Sequence, residues 1–205
     1  MNQIKSISRG SKYRPEIDGI RAFAVIAVII NHFNNEILPS GYLGVDIFFV
    51  ISGYVITSSI YEKTSKDFGS FLSDFYARRL KRLIPTLIFF LIFTSIAISA
   101  FNPQPSVYLK TAFAASMGLS NIYLYQISTD YFANSTALNP FTQTWSLGVE
   151  QQFYLLFPLI SWMSGFSRQS KNGVKSFLTI LSFLAITSLI SFIYLYEVNQ
   201  PAAYF

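Results

Sequence analysis

The feature that most constrains the fold is a series of apolar runs, each about as long as a bilayer is thick, separated by short basic connections. A membrane-spanning helix needs about 20 consecutive, mostly apolar residues. Five segments meet this length, at 17–38, 41–61, 83–101, 144–163 and 177–196. Inside lipid, only helices and closed barrels satisfy their own backbone hydrogen bonds. The sequence therefore predicts an all-α integral membrane protein, a polytopic helix bundle of five or six membrane segments.

The composition excludes several other classes of protein. Of the 205 residues, 52% are hydrophobic and 12% are charged, against about 25% charged residues in soluble domains. The absence of Cys excludes disulfides and thiolate metal sites, and a single His excludes most zinc sites, so we expect no metal. The net charge of +5 is distributed over the connections between apolar runs. This pattern is typical of membrane orientation and predicts contact with lipid, not with nucleic acid.

The basic residues also predict orientation, because Lys and Arg are enriched on the cytoplasmic side of membrane proteins. Basic residues are concentrated at 5–14, 62–82 and 168–175. We therefore predict a cytoplasmic N-terminal segment, 1–16, followed by a membrane domain over 17–205. The first apolar run has no small-residue cleavage pattern behind it, which favours a retained signal anchor.

A sixth apolar segment, 107–125, conflicts with this orientation if it crosses the membrane. The span that ends at 101 carries the chain to the outer side, whereas the basic residues from 168 are predicted to lie inside. The chain must therefore cross the membrane an odd number of times between these two points. We predict that 107–125 dips into the membrane or lies along it without crossing. The alternative is that the charge bias fails at this point. The polar stretch 126–143 is predicted to be the one long connection without basic residues.

The inner connection before the third span contains a predicted amphipathic helix. Phe68, Phe71, Leu72, Phe75 and Arg79 follow helical spacing beside basic residues, as expected for an interfacial helix that leads into the span. Pro85 is predicted to lie in the first turn of that span, where proline is tolerated.

Ionisable groups inside apolar segments are candidate functional residues, because they are costly in lipid. Arg21 and His32 are eleven residues apart, which is about three helical turns, so they share a helix face. Asp18 and Glu36 fall on the same stripe. An imidazole at this position suits a general base or a proton relay, and the alternative is an interfacial His32 bonded to Asn35 or Glu36.

Asp46 lies in the glycine-containing stretch 41–53. Counted from the predicted outer turn, Asp46 and His32 both lie about 8–9 Å into the membrane, at 1.5 Å per residue. Asp46 or Glu36 is therefore the predicted orienting partner of the imidazole. Close helix packing is the alternative role for the glycines of this stretch, Gly41, Gly44 and Gly53.

Two arginines and one carboxylate complete the candidate residues. Arg79 and Arg82 share a helix face at the end of the inner connection, where planar donors suit the phosphates of a soluble donor molecule. A topology signal or contact with anionic lipid is the alternative. Glu150 begins the fourth apolar segment on a face with Ser146 and Phe153. Three roles are open for Glu150: it positions a helix, it binds an acceptor hydroxyl, or it balances the positive charge of an arginine.

Four motifs, in this order, resemble those of the acyltransferase-3 family, which are bacterial membrane O-acyltransferases of the peptidoglycan and lipopolysaccharide O-acetylation type. The first runs from 13 to 21 and continues as Arg21-x10-His32. The others are Gly44-Val-Asp-Ile-Phe-Phe-Val-Ile-Ser-Gly53, Arg79-x-x-Arg82 and the stretch 145–158.

The resemblance implies transfer of an acyl group, usually acetyl, from cytoplasmic acetyl-CoA to a hydroxyl of an envelope glycan. It implies a multi-pass protein of the bacterial inner membrane. His32 corresponds to the catalytic base or acyl relay, and Glu150 to a site or scaffold carboxylate. The arginines at 21, 79 and 82 correspond to contacts with the donor phosphates or to structural partners.

The chain departs from the family in two respects. Gln151 stands where the family usually has a second Glu, so any role of that carboxylate is lost. Family members also have a membrane region of about ten spans, each about 20 residues long, and this chain matches its front portion. The alternatives are therefore a non-catalytic fragment, one half of a split acyltransferase completed by a second membrane chain, or a small membrane transporter that uses the polar stripe.

Overall fold

A computed structural model describes residues 14–63, 67–129 and 139–204. Throughout these ranges the chain forms helices and turns and no strand. It divides into two compact units, Met1–Thr64 and Ser65–Phe205. Most of the predicted cytoplasmic segment, residues 1–13, and the middle of the predicted connection, 130–138, lie outside the described residues.

The first unit is a helical hairpin. It consists of α1 (Pro15–Phe33), a 3₁₀ helix (Pro39–Leu43) and α2 (Gly44–Glu62). Helix α1 ends at Phe33, five residues before the predicted end of the span, because Asn34 adopts an extended backbone conformation. The Asn31 side chain then donates a hydrogen bond to the Leu38 carbonyl at 2.9 Å, which fixes the turn back toward α2.

Two glycines allow the two arms of this hairpin to touch. A Cβ at Gly41 would lie 2.3 Å from the Ala27 carbonyl oxygen, and a Cβ at Gly44 would lie 2.3 Å from that of Ala24. Both alanines are buried. Small residues on facing helices permit this backbone contact. The packing role is confirmed for these two glycines and not for Gly53, where a Cβ would meet nothing within 4 Å.

The second unit begins with one long helix, α3 (Phe68–Phe101), of 34 residues. The Asp67 carboxylate caps its start by accepting a hydrogen bond from the Ser70 amide at 2.8 Å. The predicted amphipathic helix does lead directly into the predicted span. Pro85, however, lies inside the helix and not in its first turn, because the two segments form one continuous element.

Helix α6 (Thr144–Met163) runs antiparallel to α3. Trp162, near the end of α6, packs against the start of α3, with its ring centre 5.2 Å from that of Phe68 and 5.6 Å from that of Phe71. The end of α6 therefore lies beside the start of α3, and the predicted odd number of membrane crossings between 101 and 168 stays a prediction.

Helix α7 (Gly173–Val198) runs away from the end of α6, in the same direction as α3. Phe177 in its first turns stacks on Phe166, with ring centres 4.3 Å apart. The short helix α8 (Gln200–Tyr204) then brings Tyr204 to within 5.1 Å of the ring of Trp145, at the opposite end of α6.

The predicted sixth segment is not one helix but two, α4 (Ser106–Ser116) and α5 (Ser120–Thr129). The break occurs at Gly118, whose φ of 72° favours glycine. The Leu119 amide donates to the Ala114 carbonyl at 2.9 Å, as in the Schellman motif that ends many helices.

The two short helices leave one end of the second unit and return to it. Helix α4 runs back along α3, since Ala112 and Ser116 line the same cavity as residues 88–96. Helix α5 then runs to the far end of α7, where the Tyr125 hydroxyl accepts a hydrogen bond from Asn199 at 3.1 Å. This hairpin has the form that the predicted re-entrant segment requires, and its depth in the membrane stays a prediction.

Three helical segments among the described residues are long and apolar enough to span a membrane, at Pro39–Glu62, Phe68–Phe101 and Gly173–Val198. They contain the predicted spans 41–61, 83–101 and 177–196, so the described part of the chain is all-helical and has helices suited to a membrane protein. Helices α1 and α6 form where spans are predicted but are less apolar. Acidic and basic residues interrupt the first turns of α1, and polar residues interrupt 150–152 of α6. A total of five or six spans stays a prediction.

Thiol labelling tests the path of the α4–α5 hairpin, because the chain has no native Cys. The side chains of Gln104, Thr129 and Lys171 are all exposed. We expect an impermeant thiol reagent added to intact cells to label the Gln104→Cys and Thr129→Cys variants and not Lys171→Cys. The reason is that α5 returns to the end of the unit where α3 finishes. Equal protection of Thr129→Cys and Lys171→Cys would instead mean that the pair of helices crosses the membrane.

Candidate active site

His32 lies in the last turn of α1 with an exposed side chain. Its Nδ1 lies 2.8 Å from the carbonyl oxygen of Val28, one turn earlier. Because a carbonyl oxygen only accepts hydrogen bonds, this contact requires the ring proton on Nδ1. In the neutral imidazole the lone pair is then on Nε2, so the helix backbone fixes the tautomer in which Nε2 is the base.

The structure does not bring Asp46 to His32. Because Gly44 packs against Ala24, Asp46 lies level with Ala22, which is about 15 Å from His32 at 1.5 Å per residue. The predicted pairing assumed that α1 extends to the outer turn, whereas the 3₁₀ helix already runs back along α1 before α2 begins. The pairing is therefore wrong, and any other catalytic role of Asp46 stays a prediction.

Glu36 also does not orient the imidazole. It lies beyond the end of α1 and so leaves the predicted polar stripe, and its backbone amide donates to the Asn34 side chain at 2.9 Å. Within the described ranges its carboxylate makes no hydrogen bond or ion pair. The Val28 carbonyl, and not a carboxylate, is the hydrogen-bond partner of the imidazole.

Arg21, on the same helix as His32, is mostly buried, with 15% of its side chain exposed. Its guanidinium carbon lies 5.7 Å from the ring centre of Phe48 on α2, and one guanidinium nitrogen lies 3.9 Å from the Asp18 carboxylate. The buried Nε has no hydrogen-bond partner among the described residues. Arg21 is therefore held by a ring and a weak ion pair, which leaves donor capacity for an anionic ligand.

In the second unit, Arg79 lies against two neighbouring aromatic rings where α3 meets α6. Its guanidinium carbon is 5.8 Å from the ring centres of both Phe75 and Tyr154, the geometry of cation–π contacts. Its Nε is buried and has no hydrogen-bond partner in the described part of the chain. Arg82 lies one turn later on α3 and is exposed. The two arginines thus share a helix but differ in burial.

Glu150 contacts a residue that the sequence analysis missed. The Tyr154 hydroxyl, one turn later on α6, donates a hydrogen bond to the Glu150 carboxylate. The ring of the same tyrosine faces Arg79, so the three side chains form the Arg79–Tyr154–Glu150 cluster. The sequence carries the signal for the tyrosine–carboxylate contact, since Glu and Tyr four residues apart are neighbours on a helix.

The two glutamines that follow Glu150 contact the hairpin of α4 and α5. The Gln152 side-chain amide donates to the Gly118 carbonyl at 3.0 Å and to the Asn121 side chain at 2.8 Å. The Gln151 side-chain oxygen lies so close to Gly118 that a Cβ there would be 2.3 Å away. These contacts fix the turn of the hairpin beside the helix that carries Glu150.

Comparison with known proteins identifies the family. The profile of the acyltransferase domain that defines the acyltransferase-3 family matches residues 14–205. The chain belongs to the acyltransferase-3 family. It is 45% identical over 150 residues to the O-acetyltransferase OatA of Staphylococcus aureus (strain NCTC 8325 / PS 47), covering 73% of this chain and 25% of OatA.

The chain is also similar to SAS0844 of Staphylococcus aureus (strain MSSA476), a protein provisionally named an O-acetyltransferase. It is 38% identical over 163 residues, which are 78% of this chain and 27% of that protein. The chain thus spans about a quarter of the length of the curated relatives that it matches. No solved structure matches the chain significantly.

The acyltransferase-3 motifs divide between the two units. Arg21 and His32 lie on α1 of the first unit, and Arg79, Arg82 and Glu150 lie on α3 and α6 of the second. The second unit joins Arg79 to Glu150 through a tyrosine. The first unit holds His32 through a backbone carbonyl. The catalytic and donor-binding roles of these residues stay predictions.

Proposed function

We propose that this acyltransferase-3 protein transfers an acetyl group from acetyl-CoA to a hydroxyl of a cell-envelope glycan. The observation that carries the proposal is the contact between His32 Nδ1 and the Val28 carbonyl, which makes Nε2 the basic nitrogen of the neutral imidazole. The similarity to a protein named O-acetyltransferase supports the same reaction class. The proposed location is the bacterial inner membrane, with the N-terminus in the cytoplasm.

The proposed reaction needs one base and one activated donor. Nε2 of His32 accepts the proton of the acceptor hydroxyl while the hydroxyl oxygen attacks the thioester carbonyl carbon. The carbon–sulfur bond then breaks, and the leaving thiolate of coenzyme A takes the proton from the imidazolium. The products are the acetyl ester of the glycan and coenzyme A, and His32 returns to its starting state.

Binding of the donor is assigned to the three arginines. The phosphates of acetyl-CoA need donors that remain charged and that make paired hydrogen bonds, which guanidinium groups supply. Arg21 and Arg79 are held by aromatic rings and each has a buried Nε without a partner in the described residues. Arg82 adds an exposed charge one turn from Arg79.

A second candidate is an acyltransferase completed by further membrane helices, from a longer version of the chain or from a second membrane chain. Beyond Phe177, α7 buries none of its residues within the described structure, although it is apolar along its length. A helix that is apolar all round faces lipid or further helices. Copurification of another membrane chain with this one would favour the second candidate.

Transfer of radiolabel from acetyl-CoA in membranes that contain the chain tests the proposal. We expect label on envelope glycan, and we expect Arg79→Ala to reduce labelling at low donor concentration because a phosphate contact is lost. Arg78→Ala is the matched control, since Arg78 carries the same charge on an exposed part of the same turn. Absence of label from inserted wild-type protein would contradict activity of this chain alone. Equal loss in both variants would contradict the specific role of Arg79.

A further inference from the structure

The Arg79–Tyr154–Glu150 cluster has an unusual arrangement of charges. A buried arginine near a glutamate is expected to form an ion pair with it, because an unpaired charge is costly away from water. Arg79 and Glu150 both contact Tyr154, so the two charged groups lie near each other. They are nevertheless not in contact, and neither has another ion-pair partner in the described part of the chain.

Tyr154 contacts both charged groups. Its hydroxyl donates to Glu150, which satisfies one carboxylate oxygen. The face of its ring lies 5.8 Å from the Arg79 guanidinium carbon, next to a second ring from Phe75 at the same distance. One side chain thus binds the carboxylate at its polar end and the cation at its apolar face, so the two charges are satisfied separately.

We propose that Tyr154 is a positioning residue that keeps the Arg79 guanidinium available for an anionic ligand by holding the Glu150 carboxylate away from it. The inference rests on the proposed function, in which that ligand is the phosphate portion of acetyl-CoA. Rings fix the position of the guanidinium but use none of its N–H donors. An ion pair with Glu150 would use the same donors that a phosphate needs.

Removal of the hydroxyl should therefore close the site without changing its shape. In a Tyr154→Phe variant the ring remains against Arg79, but Glu150 loses its hydrogen bond. The half-buried carboxylate then lacks its hydrogen-bond donor, and the Arg79 guanidinium, which contacts the same ring, is available to pair with it. Coenzyme A must displace this pair in order to bind.

The test is titration of coenzyme A into the purified full chain by calorimetry. We expect Tyr154→Phe to raise the Kd about tenfold, the effect of losing one charge-assisted contact. The Tyr154→Phe/Glu150→Gln double variant should return the Kd to within about twofold of wild type, because a neutral amide does not compete for Arg79. Such a rescue is not expected if the tyrosine only supports folding.

Tyr76→Phe is the matched control, because Tyr76 is another tyrosine where α3 meets α6, but its hydroxyl contacts the Leu155 carbonyl at 3.4 Å and no carboxylate. It should bind coenzyme A as wild type does. An unchanged Kd in Tyr154→Phe would overturn the inference, and so would a raised Kd that the double variant does not restore. Absence of coenzyme A binding by wild type would overturn the donor assignment itself, so the two failures are distinguishable.

Discussion

Replacement of His32 by Ala is expected to lower acetyl transfer by about two to four orders of magnitude, the usual contribution of a general base. No other residue of the chain is a histidine. The Val28 carbonyl binds Nδ1, so Nε2 is the only ring nitrogen that can accept the acceptor proton. The measurement is the rate of radiolabel transfer at saturating acetyl-CoA, normalised to the amount of inserted protein.

Asn35→Ala is a suitable control for this loss. Asn35 is an exposed neighbour that lies beyond the end of α1, and the alternative interpretation of the sequence gave it a hydrogen bond to the imidazole. We expect its replacement to leave transfer within about twofold of wild type, as for most surface substitutions. Comparable losses in Asn35→Ala and His32→Ala would contradict the assignment of the base.

The tautomer of His32 can be observed directly. Because the chain has a single His, selective ¹⁵N labelling of histidine gives signals from one ring. We expect a protonated Nδ1 and an unprotonated Nε2 in the neutral form, since the backbone carbonyl accepts from Nδ1. The reverse assignment would remove the structural basis for Nε2 as the base.

Replacement of Gly44 by Ala is expected to destabilise the helical hairpin of the first unit by about 3 kcal/mol, at the upper end of the cost of overpacking. The added Cβ would lie 2.3 Å from the Ala24 carbonyl oxygen. A backbone oxygen cannot avoid the clash by a change of rotamer, as a side chain can, so the two helices must separate. Separation also moves Phe48 of α2 away from Arg21, which it now contacts. Resistance to denaturant or heat in detergent measures the loss.

Gly53→Ala provides the same substitution on the same helix, at a position where a Cβ meets nothing within 4 Å. We expect this variant to be as stable as wild type or slightly more stable, because Ala favours the helix over Gly by about 1 kcal/mol. Equal destabilisation by the two substitutions would show that helix propensity, and not contact between α1 and α2, governs the effect of Gly44→Ala.

Local features of the site followed from the sequence. The spacing of Arg21 and His32 predicts that one helix carries both, and α1 does. The periodicity of 68–79 predicts a helix that leads into the third span, and α3 is continuous through both. The motif order predicts the acyltransferase-3 family, and the profile match over 14–205 confirms it. The first two predictions depend on positions within one helix, where geometry is regular, and the third depends on the order of motifs along the chain.

Contacts between elements did not follow from the sequence. The pairing of Asp46 with His32 failed because Gly44 packs on Ala24, which shifts α2 along α1. The tyrosine between Arg79 and Glu150 was missed because one of its two contacts joins α3 to α6. A single sequence does not show which faces of separate helices meet.

The sequence by itself determined that this protein is an all-helical membrane protein of the acyltransferase-3 family, with a histidine, three arginines and a carboxylate in set positions on its helices. The rise and turn of a helix fix such positions, and they depend little on the rest of the chain. The tertiary structure alone decided the register of the hairpin, the return of α5 and the separation of Arg79 from Glu150. These depend on the shapes of the side chains that meet between helices, which no periodicity within one helix encodes.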